Sequence, residues 1–177
     1  DDRTPLAARS EAGLNHHHKV SGKAPIAVTM GDPAGIGPEI TKRAWHAHLD
    51  GAAPRFFVIG DPACYAAQGA RVAEISAPSD AVATGAALPV LPLKLAATTE
   101  PGKPNTANAA AVIKSIERAV TLALAGETTA IVTNPIAKSV LYDTGFKHQG
   151  HTDFLGALTA HASYAGPRGP VMMLTAG

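Results

Sequence analysis

The sequence predicts an α/β fold: a mostly parallel sheet with helices on both faces. Short apolar runs recur along the chain at residues 26–30, 55–60, 71–75, 88–93, 129–133 and 171–175. Between them lie stretches with helical spacing of apolar residues, clearest over 109–123, and Gly, Pro, Asp and Asn punctuate the junctions. Strands alternating with helices in this way argue for βαβ units and hence for parallel pairing. With 177 residues, 46% of them hydrophobic and only 5% aromatic, the chain can bury a core, and its abundant alanine suits helices packed closely on a sheet.

Residues 1–24 are polar and aperiodic and carry Pro5, Gly13, Gly22 and the triplet His16, His17 and His18. They read as a disordered tail or an expression remnant, where histidines make poor metal ligands because nothing holds them in place. Residues 26–30 form the first strand and 31–37 a glycine-rich turn. Pro38 opens a helix to Leu49, with Ile40, Ala44 and Trp45 turned inward. The second strand covers 55–60. Asp61 then caps a short helix with Pro62 in its first turn, and Gly69 stops it. A third strand is expected at 71–75. A fourth, at 88–93, is assigned to a sheet edge, because Pro89 and Pro92 cannot donate to a ladder.

Residues 98–104 are a connection, after which Asn105 or Thr106 caps the longest helix, ending near Ala125 before Gly126. Ala109, Val112, Ile113, Ile116, Val120 and Ala123 make its core stripe. A strand at 129–133 leads through the loop 133–138 to a short helix. Thr152 or Asp153 opens a last helix to about His161, and 171–175 is expected to be a final strand.

Fifteen basic against fourteen acidic residues leave a net charge of +1, which gives no footprint for nucleic acid or an anionic membrane surface. The single Cys64 has no intrachain disulfide partner and reads as a small buried apolar group. No apolar run reaches the roughly 18 residues of a membrane helix. Residues 1–24 lack the apolar core of a signal peptide. The expected compartment is the reducing cytoplasm.

Candidate chemistry gathers in three loops. Gly31, Asp32, Gly35 and Gly37 lie between a strand and a helix N-terminus, where backbone N–H groups converge on one point. The spacing is neither G-x-G-x-x-G nor a P-loop, so it fits a ligand loop or a plain tight turn. Asp32 would repel phosphate but suits a hydroxyl or ammonium group. Lys138, at a loop–helix junction, suits a phosphate or carboxylate, or else is a solvated lysine. His148, His151, Thr152 and Asp153 crowd one glycine-containing loop and can hydrogen-bond a phosphate or hydroxyl. Metal ligation by His148, His151 and Asp153 is possible on ligand type alone. Ligands of parallel sheets gather beyond the carboxyl ends of the strands, which puts loops 31–37 and 133–138 on one edge.

The run Thr29-Met-Gly-Asp-Pro-Ala-Gly-Ile-Gly-Pro-Glu39 resembles the opening motif of the 4-hydroxythreonine-4-phosphate dehydrogenase family. It is similar, more distantly, to the opening of isocitrate and isopropylmalate dehydrogenases. Thr133-Asn-Pro-Ile-Ala-Lys138 and Gly150-His-Thr-Asp-Phe154 resemble that family's second and third motifs, in the right order. The resemblance covers roughly the first half of a member. It implies an isopropylmalate-dehydrogenase-like but incomplete chain, with 25–177 as the N-terminal portion of a two-domain enzyme.

By the same resemblance, His151 and Thr152 bind the phosphorylated substrate, with Lys138 as a supporting charge. The implied reaction is NAD- or NADP-dependent oxidation and decarboxylation of 4-phosphohydroxy-L-threonine in pyridoxal phosphate synthesis. A homodimer and a divalent metal (Zn, Mg or Co) are implied as well. The family's metal-binding histidines have no counterpart among the eight histidines here, so the metal is expected to be bound by residues outside this chain. The chain alone is then expected to be inactive, and no catalytic residue is assigned. Other readings are a paralogue acting on threonate or erythronate 4-phosphate or on a dihydrodiol, or a non-catalytic phospho-ligand-binding module.

Overall fold

The computed structural model describes residues 24–163 and 169–175. The expected tail, with His16, His17 and His18, lies outside the described residues except for Ala24. Among the described residues five strands form one parallel sheet: β1 (Ile26–Thr29), β2 (Phe56–Gly60), β3 (Val72–Glu74), β4 (Leu88–Pro92) and β5 (Ile131–Thr133), in the order β3-β4-β2-β1-β5. The helices are α1 (Gly37–Leu49), α2 (Pro62–Ala66), α3 (Ala109–Leu124), α4 (Lys138–Asp143) and α5 (His151–Leu158).

Strand alternation sorts the core into two layers. Ala27, Phe57, Ile59 and Leu91 point to one face and pack with Ala119 and Leu122 of α3. Val28, Phe56, Val58, Leu88 and Val90 point to the other, against Trp45 of α1 and Cys64 and Tyr65 of α2. Both faces are covered over β1, β2 and β4, so these strands read as continuous apolar runs, as buried parallel strands do. Burial also lifts the Cys64 thiol pKa, which fits an inert packing role. No helix among the described residues is long and apolar enough to cross a membrane.

Four expectations are corrected. Strand β4 is internal, between β3 and β2. Its even residues bond towards β3, since Leu88 N–H goes to Arg71 O and Val90 O accepts from Ile75. Leu93 N–H goes instead to Gly60 of β2. Pro89 therefore lacks an N–H on the β2 side, one residue before that pairing begins at Val90, and Pro92 on the β3 side, beyond Glu74. Each proline falls where its missing donor breaks no ladder bond, so the edge rule does not apply.

In α1 the inward stripe is Gly37, Pro38, Thr41 and Trp45, while Ile40 and Ala44 are exposed. Trp45 fixes this rotation by donating Nε1–H to Ala86 O and stacking edge-on against Phe56. The strand expected at 171–175 is absent. Val171, Met172, Met173 and Leu174 are more than three-quarters exposed, and none of the described strands pairs with them. Helix α5 starts one residue earlier than expected, at His151, and ends at Leu158.

Candidate functional site

Strand β1 has β2 on one side and β5 on the other, so the strand order reverses between β1 and β5. In open parallel sheets such a switch point forms the ligand crevice. Here the two loops leaving it interlock. Asp32 N–H donates to Pro135 O at 2.8 Å, and Asn134 Nδ2 donates to Thr41 Oγ1 of α1 at 2.8 Å. Loops 31–37 and 133–138 thus share one edge, as the strand–loop–helix pattern predicts.

The glycines of the first loop divide by use. Gly31 has φ +69°, and a Cβ there would meet Asn134 Cβ and Pro135 O at 2.6 Å, so only glycine admits the second loop. At Gly37 a Cβ would come 2.9 Å from Met30 O. These two serve the close packing of the protein on itself. Gly35 is exposed and Asp32 half-buried, and both remain open to solvent. Asp32 Oδ1 accepts from Ala34 N–H, a local turn bond, and Gly102 N–H donates to Ala34 O, adding a third loop to the edge.

Lys138 begins α4 and reaches towards the start of α5. A Cβ at Gly150 would meet its Cε at 3.6 Å and its Nζ at 3.7 Å. His151 follows directly. Its Nε2 is buried with no hydrogen-bond partner among the described residues. Burial first, and the Lys138 ammonium second, hold its pKa below the ordinary value, so the neutral ring is favoured. The first backbone bond of α5 runs from Phe154 to Gly150, so the three N–H groups before it have no partner within the helix. A lysine, an imidazole nitrogen without a partner among the described residues and a helix N-terminus lie together here, a combination suited to an oxyanion.

The other candidates lie apart from this convergence. His148 is committed to an internal cluster: its Nδ1 lies 3.1 Å from Asp153 Oδ2, and its ring packs against Phe146 and Phe154. Asp153 Oδ2 also accepts from Gln149 N–H, which ties down the start of the helix. Direct work on a substrate by His148 is thereby disfavoured.

Thr152 is exposed and turns to a different hollow, an apolar cavity of about 870 Å3 between α3, β5 and α5 lined by Val120, Leu124, Ile131 and Leu155. Among the described residues its lining carries no charged side chain. Among the described residues no three His, Cys, Asp or Glu side chains are placed to hold a metal, and the His148–Asp153 pair is used internally. The metal implied by the resemblance has no fit in the described part of this chain.

Two polar residues of this edge carry no expectation from sequence. Asn134 lies inside a quoted motif, and its only local signal is an Asn-Pro pair closing a strand. Ser115 sits in the apolar stripe of α3, where nothing marks it. Its Oγ accepts from Met30 N–H at 2.9 Å and donates to Ile59 O at 2.7 Å.

Comparison with known proteins bears on the family and the fold. The model of the pyridoxal phosphate biosynthetic protein PdxA family matches residues 52–177. A 4-hydroxythreonine-4-phosphate dehydrogenase of Methylorubrum populi is 50% identical over 161 residues, covering 85% of this chain and 45% of the relative. That of Caulobacter vibrioides is 46% identical, covering 86% and 46%. Among solved structures, the 4-hydroxythreonine-4-phosphate dehydrogenase of Klebsiella pneumoniae superposes with a TM-score of 0.68 at 35% identity, covering 77% of this chain and 45% of that one. The chain therefore spans just under half the length of the curated relatives it matches. With the family model matching residues 52–177 and relatives at 46% and 50% identity, the chain belongs to the PdxA family of pyridoxal phosphate biosynthetic proteins.

Proposed function

We propose that this chain supplies the phosphate-binding edge of a 4-hydroxythreonine-4-phosphate dehydrogenase. The complete protein oxidises the hydroxyl of 4-phosphohydroxy-L-threonine with NAD or NADP and releases carbon dioxide. The observation that carries the reading is the buried, unpartnered Nε2 of His151 beside Lys138 at the start of α5. An enclosed polar atom without a partner costs free energy that a ligand hydrogen bond recovers.

Each residue then has a part. Lys138 provides the charge, the α5 N–H groups provide donors, and the His151 ring orients the phosphate. Thr152, on the neighbouring face of the helix, joins only if a ligand turns it from the apolar cavity. Asp32 and Gly35 border the open side of the first loop, where a hydroxyl or ammonium group of the substrate fits better than its phosphate. Nicotinamide and a divalent metal enter through the family resemblance, and neither is assigned a residue of this chain. The same reading implies a homodimer working in the cytoplasm.

The test is turnover by the full-length protein with 4-phosphohydroxythreonine, threonate 4-phosphate, erythronate 4-phosphate and an aromatic cis-dihydrodiol, each with NAD and with NADP. Reduced nicotinamide and carbon dioxide should appear with 4-phosphohydroxythreonine, and only slowly with its unphosphorylated form. Preference for the dihydrodiol, or indifference to the phosphate, would overturn the reading.

A further inference from the structure

We propose that Asn134 is a positioning residue: it locks the loop that carries Lys138 to the first turns of α1, and so sets where the Lys138 ammonium stands relative to His151. This rests on the phosphate reading of His151 and Lys138.

Asn134 is only 5% exposed, and its amide makes a buried side chain–side chain bond to Thr41 across 93 residues of sequence. Its Cβ fills the space left by the missing side chain of Gly31, and a Cβ at Gly37 would lie only 3.5 Å from it. Gly31 of the first motif is thus shaped around one residue of the second, while at Gly37 the limiting contact is Met30 O. The following carbonyl, Pro135 O, accepts from Asp32 N–H, and the proline ring fixes φ at that point. The chain leaving this anchor has three residues before Lys138 opens α4. Helix α4 is itself pinned by the buried Leu141, to which Phe146 N–H returns. A displaced Asn134 therefore moves a short, stiff tether with Lys138 at its end.

A bland alternative is that Asn134 and Thr41 form a satisfied buried pair that only adds stability. The two accounts differ in what Lys138 and His151 report. Lys138 is the cation that acts on the His151 ring, while Asp153 on the same helix is engaged with His148. The position of Lys138 can therefore be read from the His151 titration without any substrate present.

The experiment uses the complete protein with isotope-labelled histidine and four variants: Asn134→Ala, Thr41→Val, Thr41→Ser and Lys138→Met. Three quantities are measured: the His151 titration midpoint by NMR, kcat and KM for 4-phosphohydroxythreonine, and Tm. Lys138→Met should move the midpoint up towards the ordinary histidine value. Asn134→Ala and Thr41→Val should move it the same way and raise KM by about three- to tenfold with kcat nearly unchanged, the signature of lost uniform binding. Thr41→Ser keeps the acceptor oxygen and should retain the wild-type midpoint and KM.

A lower Tm in Asn134→Ala and Thr41→Val, with midpoint and KM both unmoved, would reduce the pair to a stabilising contact and overturn the proposal. A midpoint unmoved by Lys138→Met would overturn it as well. If Asn134→Ala shifts the midpoint while His151→Ala leaves KM unchanged, the positioning stands and the phosphate reading of His151 falls.

Discussion

At the residue scale, His151 is an imidazole kept neutral by its surroundings. Its folded pKa is depressed below 6.5 by burial and by Lys138. On the acid side of 6.5 the unfolded chain therefore binds a proton that the folded chain refuses. The unfolded state holds more protons there, so stability rises with pH through that window and is lost as pH falls. Well above 6.5 the ring is neutral in both states and contributes no slope. Unfolding free energy measured against pH should fall more steeply in the wild type than in His151→Gln on the acid side of 6.5, and in parallel above it. Equal slopes on the acid side would mean that His151 titrates as a solvated residue. In sequence, the reading of His151 as a site residue rests on a His-Thr pair after glycine that matches a family motif. The packing of Asn134 was not legible, because it fills the space of Gly31, about a hundred residues away in sequence.

At the element scale, the carboxyl ends of β1 and β2 are held apart by a side chain. Ile26 N–H bonds to Arg55 O, and the pairing continues to Thr29 opposite Ile59. The same series would next join Met30 N–H to Ile59 O, but both groups go to Ser115 Oγ instead. The hydroxyl is a wedge in the ladder, placed where the first loop leaves the sheet. Ser115→Ala should leave a buried donor and a buried acceptor unpaired, at a cost of about 1–3 kcal/mol in denaturant unfolding. An unchanged stability would indicate that β1 and β2 can simply close on each other. A serine on an apolar helical stripe carries no sequence signal for this role. The prolines of β4 misled for a related reason: the edge rule depends on which neighbour each missing N–H would face, and that is fixed by register rather than composition.

At the scale of the whole molecule, the parallel sheet was legible because strand, loop and helix each carried their own local signal. Apolar runs, Asp61 as a cap, and Gly69 and Gly126 at positive φ as helix stops all agree with the elements observed. The run 171–175 failed because apolar character alone does not make a strand; a ladder partner does. The convergence of the loops after β1 and β5 follows from strand order. That edge is the basis for assigning phosphate binding to His151 and Lys138.

The most direct test of that assignment is the KM of His151→Ala in the complete protein with 4-phosphohydroxythreonine. A hydrogen bond to a charged phosphate is worth about 1.5–3 kcal/mol, so KM should rise at least about tenfold with a smaller change in kcat. An unchanged kcat/KM would remove His151 from the site and contradict the account.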